Sequence, residues 1–117
     1  MVDLSKINRI DEARYSKRQE LDFVIRNRRN RLIGLWAGQK LGMDEKDAAG
    51  YATDIVGEAI VAPGDANLVK MITRDLAKGG VVVSEAELGA ELERLHRVAA
   101  MEFGETGEKS PRQPHAA

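Results

Sequence analysis

The residues best suited to chemistry form one basic stretch, RNRRNR, from Arg26 to Arg31. Guanidinium groups bind phosphate through paired hydrogen bonds, so Arg28, Arg29 and Arg31 are candidate contacts for a nucleotide or a nucleic acid. The competing interpretation is a helix face whose alkyl stems cover the core while the charges stay in water. We favour this structural role. We expect Arg28, which lies in line with apolar residues, to face a carboxylate of another helix.

The remaining reactive side chains form no catalytic group. Glu93 and His96 are three residues apart and could share a helix face, but two ligands are too few for a metal site. The hydroxyl of Ser84 is accounted for as a helix cap, and the chain has no Cys. No glycine-rich phosphate loop is present. We therefore expect a protein that is not an enzyme, with no metal site.

Composition narrows the class of protein further. The chain has 117 residues, which favours one domain, and 18 basic against 19 acidic residues give a formal net charge of −1. That balance argues against a nucleic-acid partner, because nucleic-acid-binding domains are usually basic. No apolar run approaches the roughly 20 residues of a membrane span, and the N-terminus lacks the apolar core of a signal peptide. We expect a cytoplasmic protein without membrane insertion.

The hydrophobic spacing is helical from Asp11 to Leu41, with Gly42 as the stop. Gly34 and Gly38 are four residues apart and would let another helix approach closely. Trp36, between them, is predicted to be a core residue. The apolar stripe that we assign to this first helix consists of Leu21, Val24, Ile25, Leu32, Leu35 and Trp36.

Residues typical of helix caps mark the starts of three further helices. Asp44 begins the second helix, which ends at Pro63-Gly64, and Asp65 is predicted to cap the third, which Gly79-Gly80 closes. The valines from Val81 to Val83 are too isolated for a strand, so we expect a buried connector. A capping box, Ser84-x-x-Glu87, begins the fourth helix, which is expected to end near Phe103.

These elements predict an all-α protein: a small antiparallel four-helix bundle with a long first helix. We divide the chain into a mobile N-terminal segment (residues 1–14), a four-helix domain (15–103) and a disordered tail (104–117). The N-terminal segment has few apolar residues and nothing to pack on, so it is either disordered or awaiting a partner. The tail is polar and proline-containing.

Several stretches together resemble one family. ELDFVIRNRRNRLIGLWAGQKLG, AAGYATDIV, PGD and DLAKGGVVVSEAEL are similar to the zeta subunit of the alpha-proteobacterial rotary ATP synthase. The resemblance covers roughly Ala13 to Phe103. Its most specific part is the Arg28-Arg29-Asn30 triplet followed by Leu35-Trp36-Ala37 and Lys40-Leu41-Gly42.

The resemblance implies a four-helix bundle that inhibits ATP hydrolysis by the catalytic head of the synthase. It implies that the N-terminal segment becomes helical on binding and enters between the alpha, beta and gamma subunits. It also implies that the protein is peripheral at the inner membrane when bound, and that the free protein can bind ADP or ATP. No other cofactor is expected. The candidate partner-binding residues are Leu4, Ile7, Arg9, Ile10, Arg14 and Tyr15.

The N-terminus departs from the pattern that the family typically shows. Leu4 stands where the family has Phe, Ser5 and Lys6 replace an acidic pair, and Ile7 replaces an Arg. Basic residues at positions 9 and 14 and the aromatic ring of Tyr15 are kept. Apolar spacing therefore survives without the acidic pair. The departure predicts either a weak inhibitor or a diverged relative with another role. We predict an inhibitor of ATP hydrolysis, with a small nucleotide- or nucleic-acid-binding helical module as the alternative.

Overall fold

The computed structural model describes the backbone of residues 4–104 and the side chains of residues 12–104. This part of the chain consists of four helices and no strands, which confirms the predicted all-α fold. Their bounds are α1 Leu4–Lys40, α2 Glu45–Val61, α3 Asp65–Lys78 and α4 Glu85–Glu102. The 37 residues of α1 make it the longest by far. It contacts each of the other three helices, and α2 most extensively.

The closest helix packing joins α1 to α2 through two glycines. A Cβ atom built on Gly34 would lie 2.7 Å from the Cα atom of Ala52, and one on Gly38 would lie 3.0 Å from the Cβ atom of Ala48. Positions four apart on α1 therefore meet positions four apart on α2 in reverse order, so the two helices are antiparallel. The close approach expected from this glycine pair is confirmed.

Glycine also ends two of the helices. Gly42 has a φ of 79°, the left-handed conformation that glycine adopts without steric cost. The amide of Met43 donates to the carbonyl of Gly38, and the amide of Gly42 donates to that of Gln39. These two bonds form a Schellman motif, which satisfies the last carbonyls of α1 and turns the chain into α2. Gly80 ends α3 with the same arrangement.

Side-chain caps begin α2 and α4. The Asp44 carboxylate accepts from the amide of Asp47, and Ser84 and Glu87 form both hydrogen bonds of the predicted capping box. The predicted cap of α3 is wrong by one position. Gly64 is the N-cap, and Asp65 is the first helical residue, because its carboxylate is directed toward α1 rather than toward its own helix.

The core is aliphatic and draws on all four helices. Its buried members are Ile33, Ala37, Ile55, Leu68, Ile72, Leu76, Leu88, Leu92 and Leu95. On α1, the buried line runs through Ile25, Arg29, Ile33 and Ala37 at intervals of four residues. The predicted stripe named Ile25 but omitted Ile33, and it included Val24, which is exposed. The error arose because Arg29 interrupts the run of apolar residues, so the sequence does not show that Ile25 and Ile33 lie on one face.

Trp36 lies at the edge of the core, which corrects the prediction that it is a core residue. Its ring is partly buried and packs against the aliphatic cluster. The Lys40 ammonium lies 4.9 Å from the ring centroid, within cation–π range.

The connector before α4 also differs from expectation. Val81 and Val83 pack against the core, but Val82 between them is 90% exposed, since alternate residues of an extended segment face opposite sides.

A hydrogen bond joins α2 to α3. The Tyr51 hydroxyl donates to the Asp75 carboxylate at 2.8 Å. Burial raises the pKa of Tyr51 well above its ordinary value, and the hydrogen bond to Asp75 and the charge of that carboxylate raise it further. The folded protein therefore keeps the tyrosine neutral under conditions in which an exposed tyrosine ionises.

The α1–α2 contact predicts opposite effects for two glycine substitutions. Gly34→Ala would force the backbones of α1 and α2 apart, so we expect the free energy of unfolding to fall by about 1–3 kcal/mol. Gly57→Ala is the matched control, because a Cβ there meets nothing within 4 Å. It should raise stability by about 0.5–1 kcal/mol through helix propensity. Urea denaturation measures both. Equal stabilisation by the two substitutions would contradict the close packing.

Tyr51 predicts a loss of stability in alkali. An unfolded tyrosine ionises near pH 10, whereas the folded-state pKa of Tyr51 is raised. The contribution of Tyr51 to stability is complete below the pKa of the unfolded tyrosine. It is lost as the pH rises from that value toward the folded-state pKa, because only the unfolded state releases the proton in this range. Tyr51→Phe should remove this component, so its stability should decline less between pH 9 and 11. Parallel declines for the two proteins in urea denaturation would contradict the assignment.

Candidate functional site

The N-terminal half of α1 projects from the bundle. Every side chain from residue 12 to residue 20 is exposed, and burial becomes nearly complete only at Ile25. We call residues 12–20 the projecting part of α1. At 1.5 Å per residue the whole helix is about 55 Å long, about twice the length of an ordinary bundle helix of this protein. The bundle therefore displays a helical surface that it does not use itself.

Two of the predicted partner-binding residues lie on the projecting part. Arg14 and Tyr15 are both exposed, and the Gln19 side-chain amide donates to the Tyr15 hydroxyl at 3.1 Å. The helix runs through residue 14 without a break, although we placed a domain boundary there. The side chains of Leu4, Ile7, Arg9 and Ile10 lie outside the described residues. Residues 105–117 of the predicted tail also lie outside the described residues, and the predictions of a mobile segment and a disordered tail stay untested.

The basic stretch binds α1 to the other helices. The Arg28 guanidinium forms a two-pronged contact with the Glu102 carboxylate at the end of α4, with Nε–Oε1 at 2.7 Å and Nη2–Oε2 at 3.3 Å. The hydrogen bond to Glu102 raises the pKa of Arg28, and burial opposes it. The expectation that Arg28 faces a carboxylate of another helix is confirmed.

Arg29 is the most deeply buried charge in the described part of the chain, with 5% of its surface exposed. Its guanidinium binds the Asp65 carboxylate at the start of α3 through contacts of 2.8 and 3.2 Å. Its Nε donates to the Asn30 side-chain oxygen at 3.1 Å. The paired hydrogen bonds offset the cost of removing the cation from water, because a buried charge is stable only when it is paired.

The third arginine of the predicted set contacts α2. Arg31 donates to the Thr53 hydroxyl at 3.3 Å, and that hydroxyl donates in turn to the carbonyl of Ala49. The arginines at positions 28, 29 and 31 therefore point to α4, α3 and α2 respectively. Three guanidinium groups directed to three helices do not converge on one anion.

A groove of about 730 Å³ lies between α3 and α4. Its wall includes Arg29, Asp65, Glu93, His96 and Arg97, so both basic and acidic side chains line it. Such a lining could accept a polar small molecule but has no consistent sign of charge. Within residues 12–104, no cluster of three or more His, Asp or Glu side chains could hold a metal ion.

Sequence reasoning missed the partners of the arginines. Asp65 was interpreted as a cap, and Glu102 and Asn30 were given no role. One signal could have identified the anions: a basic residue inside an apolar stripe requires a counter-ion, and both carboxylates stand at predicted helix ends. The identity of each pair still depends on which helices become neighbours.

Comparison with known proteins gives one match. The family described as ATPase inhibitor subunit zeta matches residues 1–102. The matched range includes α1 through α4 and ends at the last residue of α4. No curated protein and no solved structure gives a significant match. Among the helices of residues 4–104, none has the length and apolar character needed to cross a bilayer.

The buried arginine predicts that loss of its counter-ion destabilises the bundle. Asp65→Ala would leave the Arg29 guanidinium without its carboxylate, so we expect the free energy of unfolding to fall by about 1–3 kcal/mol. Arg94→Ala is the control: it removes an ion pair with Glu91 within α4 whose arginine side chain is 56% exposed, and a smaller change is expected. If the two substitutions had equal effects in urea denaturation, the contact with Asp65 would not support the buried charge.

Proposed function

The chain belongs to the ATPase inhibitor subunit zeta family, and from that membership we propose that it inhibits ATP hydrolysis by the catalytic head of a rotary ATP synthase. In this proposal, residues 1–14 and the projecting part of α1 contact the alpha, beta and gamma subunits and block rotation. The four-helix domain limits how far the helix enters. The protein acts as a regulator and not as a catalyst.

The observation that supports this mechanism is the exposure of α1. Every side chain from residue 12 to residue 20 is exposed, yet the helix continues through these residues without interruption. An unsupported helix is marginal in water, because most helical stability in proteins comes from tertiary packing. A partner that packs on this surface would supply the missing contacts. Binding would therefore favour the helical conformation of the N-terminal segment.

The apolar residues of the segment can act as the anchors. Leu4 and Ile7 are one helical turn apart, and Tyr15 follows two turns after Ile7, so side chains at these positions can meet one partner surface. A few anchors of this kind carry most of the energy of an interface. Arg9 and Arg14 would add charge pairing. Together with Ile10, these are the residues that we assign to the inhibitory contact.

A nucleotide- or nucleic-acid-binding module is the alternative function. Its candidate residues were Arg28, Arg29 and Arg31, and each of these guanidinium groups has a protein partner in the bundle. A phosphate would have to compete with those partners. ADP or ATP could contact Arg29 from the α3–α4 groove, but the mixed charge of that groove gives no preference for an anion. We therefore favour the inhibitory function.

The proposal also places the protein in the cell. The inhibitor acts from the cytoplasm and becomes peripheral to the inner membrane while it is bound to the synthase. Membrane contact by the chain itself is not required, since the contact is made with the catalytic head.

Inhibition should depend on the N-terminal segment and not on the stability of the bundle. We expect the intact protein to lower the rate of ATP hydrolysis by the cognate purified catalytic head. Deletion of residues 1–14, or Leu4→Glu combined with Ile7→Glu, should abolish the effect, since a charge cannot enter an apolar interface without cost. The midpoint of thermal unfolding should stay nearly unchanged.

Val82→Glu is the matched control, because it places the same charge at an exposed position on the connector between α3 and α4. It should inhibit as the parent chain does. Ser5→Asp with Lys6→Asp restores the acidic pair that is typical of the family and should strengthen inhibition. The proposal would be overturned if a large excess of the intact protein left hydrolysis unchanged and did not co-purify with the catalytic head.

A further inference from the structure

The exposed hydrophobic side chains are not scattered over the surface. Eight large ones are exposed within residues 12–104, and six of them lie on α1 just after the projecting part or at the ends of α2 and α4. We call these six the apolar collar; their exposed fractions range from 40% to 81%. Its members are Phe23 and Val24 on α1, Ile60 and Val61 at the end of α2, and Met101 and Phe103 at the end of α4.

Specific contacts place the two sides of the collar next to α1. Phe23 and Ile60 line one small cavity of about 160 Å³, together with Pro63. On the other side, the Arg28–Glu102 ion pair holds the end of α4 against α1. Glu102 stands between Met101 and Phe103 in the chain, and Val24 precedes Arg28 by one helical turn. The ends of α2 and α4 therefore flank the same part of α1.

We propose that the apolar collar is a second docking surface for the catalytic head, bound at the same time as the N-terminal segment. This inference rests on the proposed inhibitory function. The collar begins at Phe23, three residues after the end of the projecting part, which is about 5 Å along the helix axis. Tyr15 is eight residues from Phe23, or about 12 Å.

The continuity of α1 is the reason for assigning the catalytic head as the partner of the collar. A stable protein interface covers about 800 Å² on each partner, more than a few helical turns present to one surface. A protein that binds the projecting part over such an area reaches the collar, because the same continuous helix carries both. Contiguous exposed apolar residues are typical of interaction sites on otherwise polar surfaces. The collar thus provides the apolar area that the projecting part, with Tyr15 as its one exposed large apolar side chain among residues 12–20, does not provide.

The collar contributes affinity, whereas the N-terminal segment blocks rotation. The six side chains carry no charge, so the contribution of the collar should change little with salt concentration, unlike that of the arginines at positions 9 and 14. Weakening the collar should raise the concentration of protein needed for inhibition and leave the maximal inhibition intact. That separation distinguishes the collar from the inhibitory segment.

The test measures binding of the full-length protein to the purified cognate catalytic head at low and high salt. Ile60→Ser combined with Val61→Ser should raise the Kd about tenfold or more, as expected when apolar anchors are truncated. Val82→Ser is the matched control, because Val82 is equally apolar and 90% exposed but lies on the connector before α4. Its Kd should equal that of the parent chain. Thermal unfolding verifies that each variant is folded.

Phe103→Ser provides a second variant outside the helices, should the paired substitution prevent folding. Phe103→Ser should also raise the Kd. The inference fails, while the proposed function stands, if the parent chain binds and inhibits and the folded collar variants bind equally well. It also fails if sedimentation shows that the collar substitutions convert a dimer to a monomer with no change in Kd. If the parent chain neither binds nor inhibits, the proposed function and the inference fall together.

Discussion

The contact between α1 and α2 at Gly34 and Gly38 is the constraint on which the rest of the structure depends. Because neither position carries a Cβ, the helices approach until the glycine backbone meets Ala52 and Ala48. That approach fixes both the direction of α2 and the height at which it runs along α1. The turn between the two helices, closed at Gly42, is consistent with the same antiparallel alignment. Helix propensity is sacrificed at both glycines, and the packing compensates for it.

Once α1 and α2 are fixed, the arginines determine how the other helices join. Arg29 forms an ion pair with Asp65 at the start of α3, and Arg28 forms one with Glu102 at the end of α4. Apolar contacts among the leucines and isoleucines supply most of the driving force, but they are not directional. Paired hydrogen bonds to a planar guanidinium are directional, so they select one arrangement among several that would bury similar area. The basic stretch is therefore explained by the architecture of the bundle before any ligand is considered.

The same helix serves two different surroundings. Its C-terminal half is the central element of the bundle, whereas residues 12–20 are exposed to solvent. This division suits the proposed inhibitory function, because the core of the bundle does not include residues 12–20. Under that proposal, changes in the N-terminal segment, such as the missing acidic pair at positions 5 and 6, would alter the strength of inhibition without affecting the fold. The apolar collar lies at the boundary between the two halves, between the core of the bundle and the surface that we propose for binding.

Local sequence signals were sufficient for the fold class, the four helices, the Asp44 cap, the Ser84–Glu87 capping box and the close approach at the two glycines. Each of these depends on residues near one another in the chain, and local hydrogen bonding or steric freedom determines it. The family resemblance also required only the sequence, and the family match confirms it. The position of Trp36 at the core edge was not predictable in this way, since the side of α1 that is buried depends on the helices that cover it.

Only the tertiary structure decided the partners of the arginines and the existence of the collar. Asp65 is 36 residues from Arg29 and Glu102 is 74 residues from Arg28, so no local pattern links them. The collar joins residues of α1, α2 and α4 that are apolar and exposed, and each one alone is unremarkable in the sequence. The physical reason is the same in both cases: periodicity gives the faces of each helix, whereas the register between helices comes from packing over long separations in the chain.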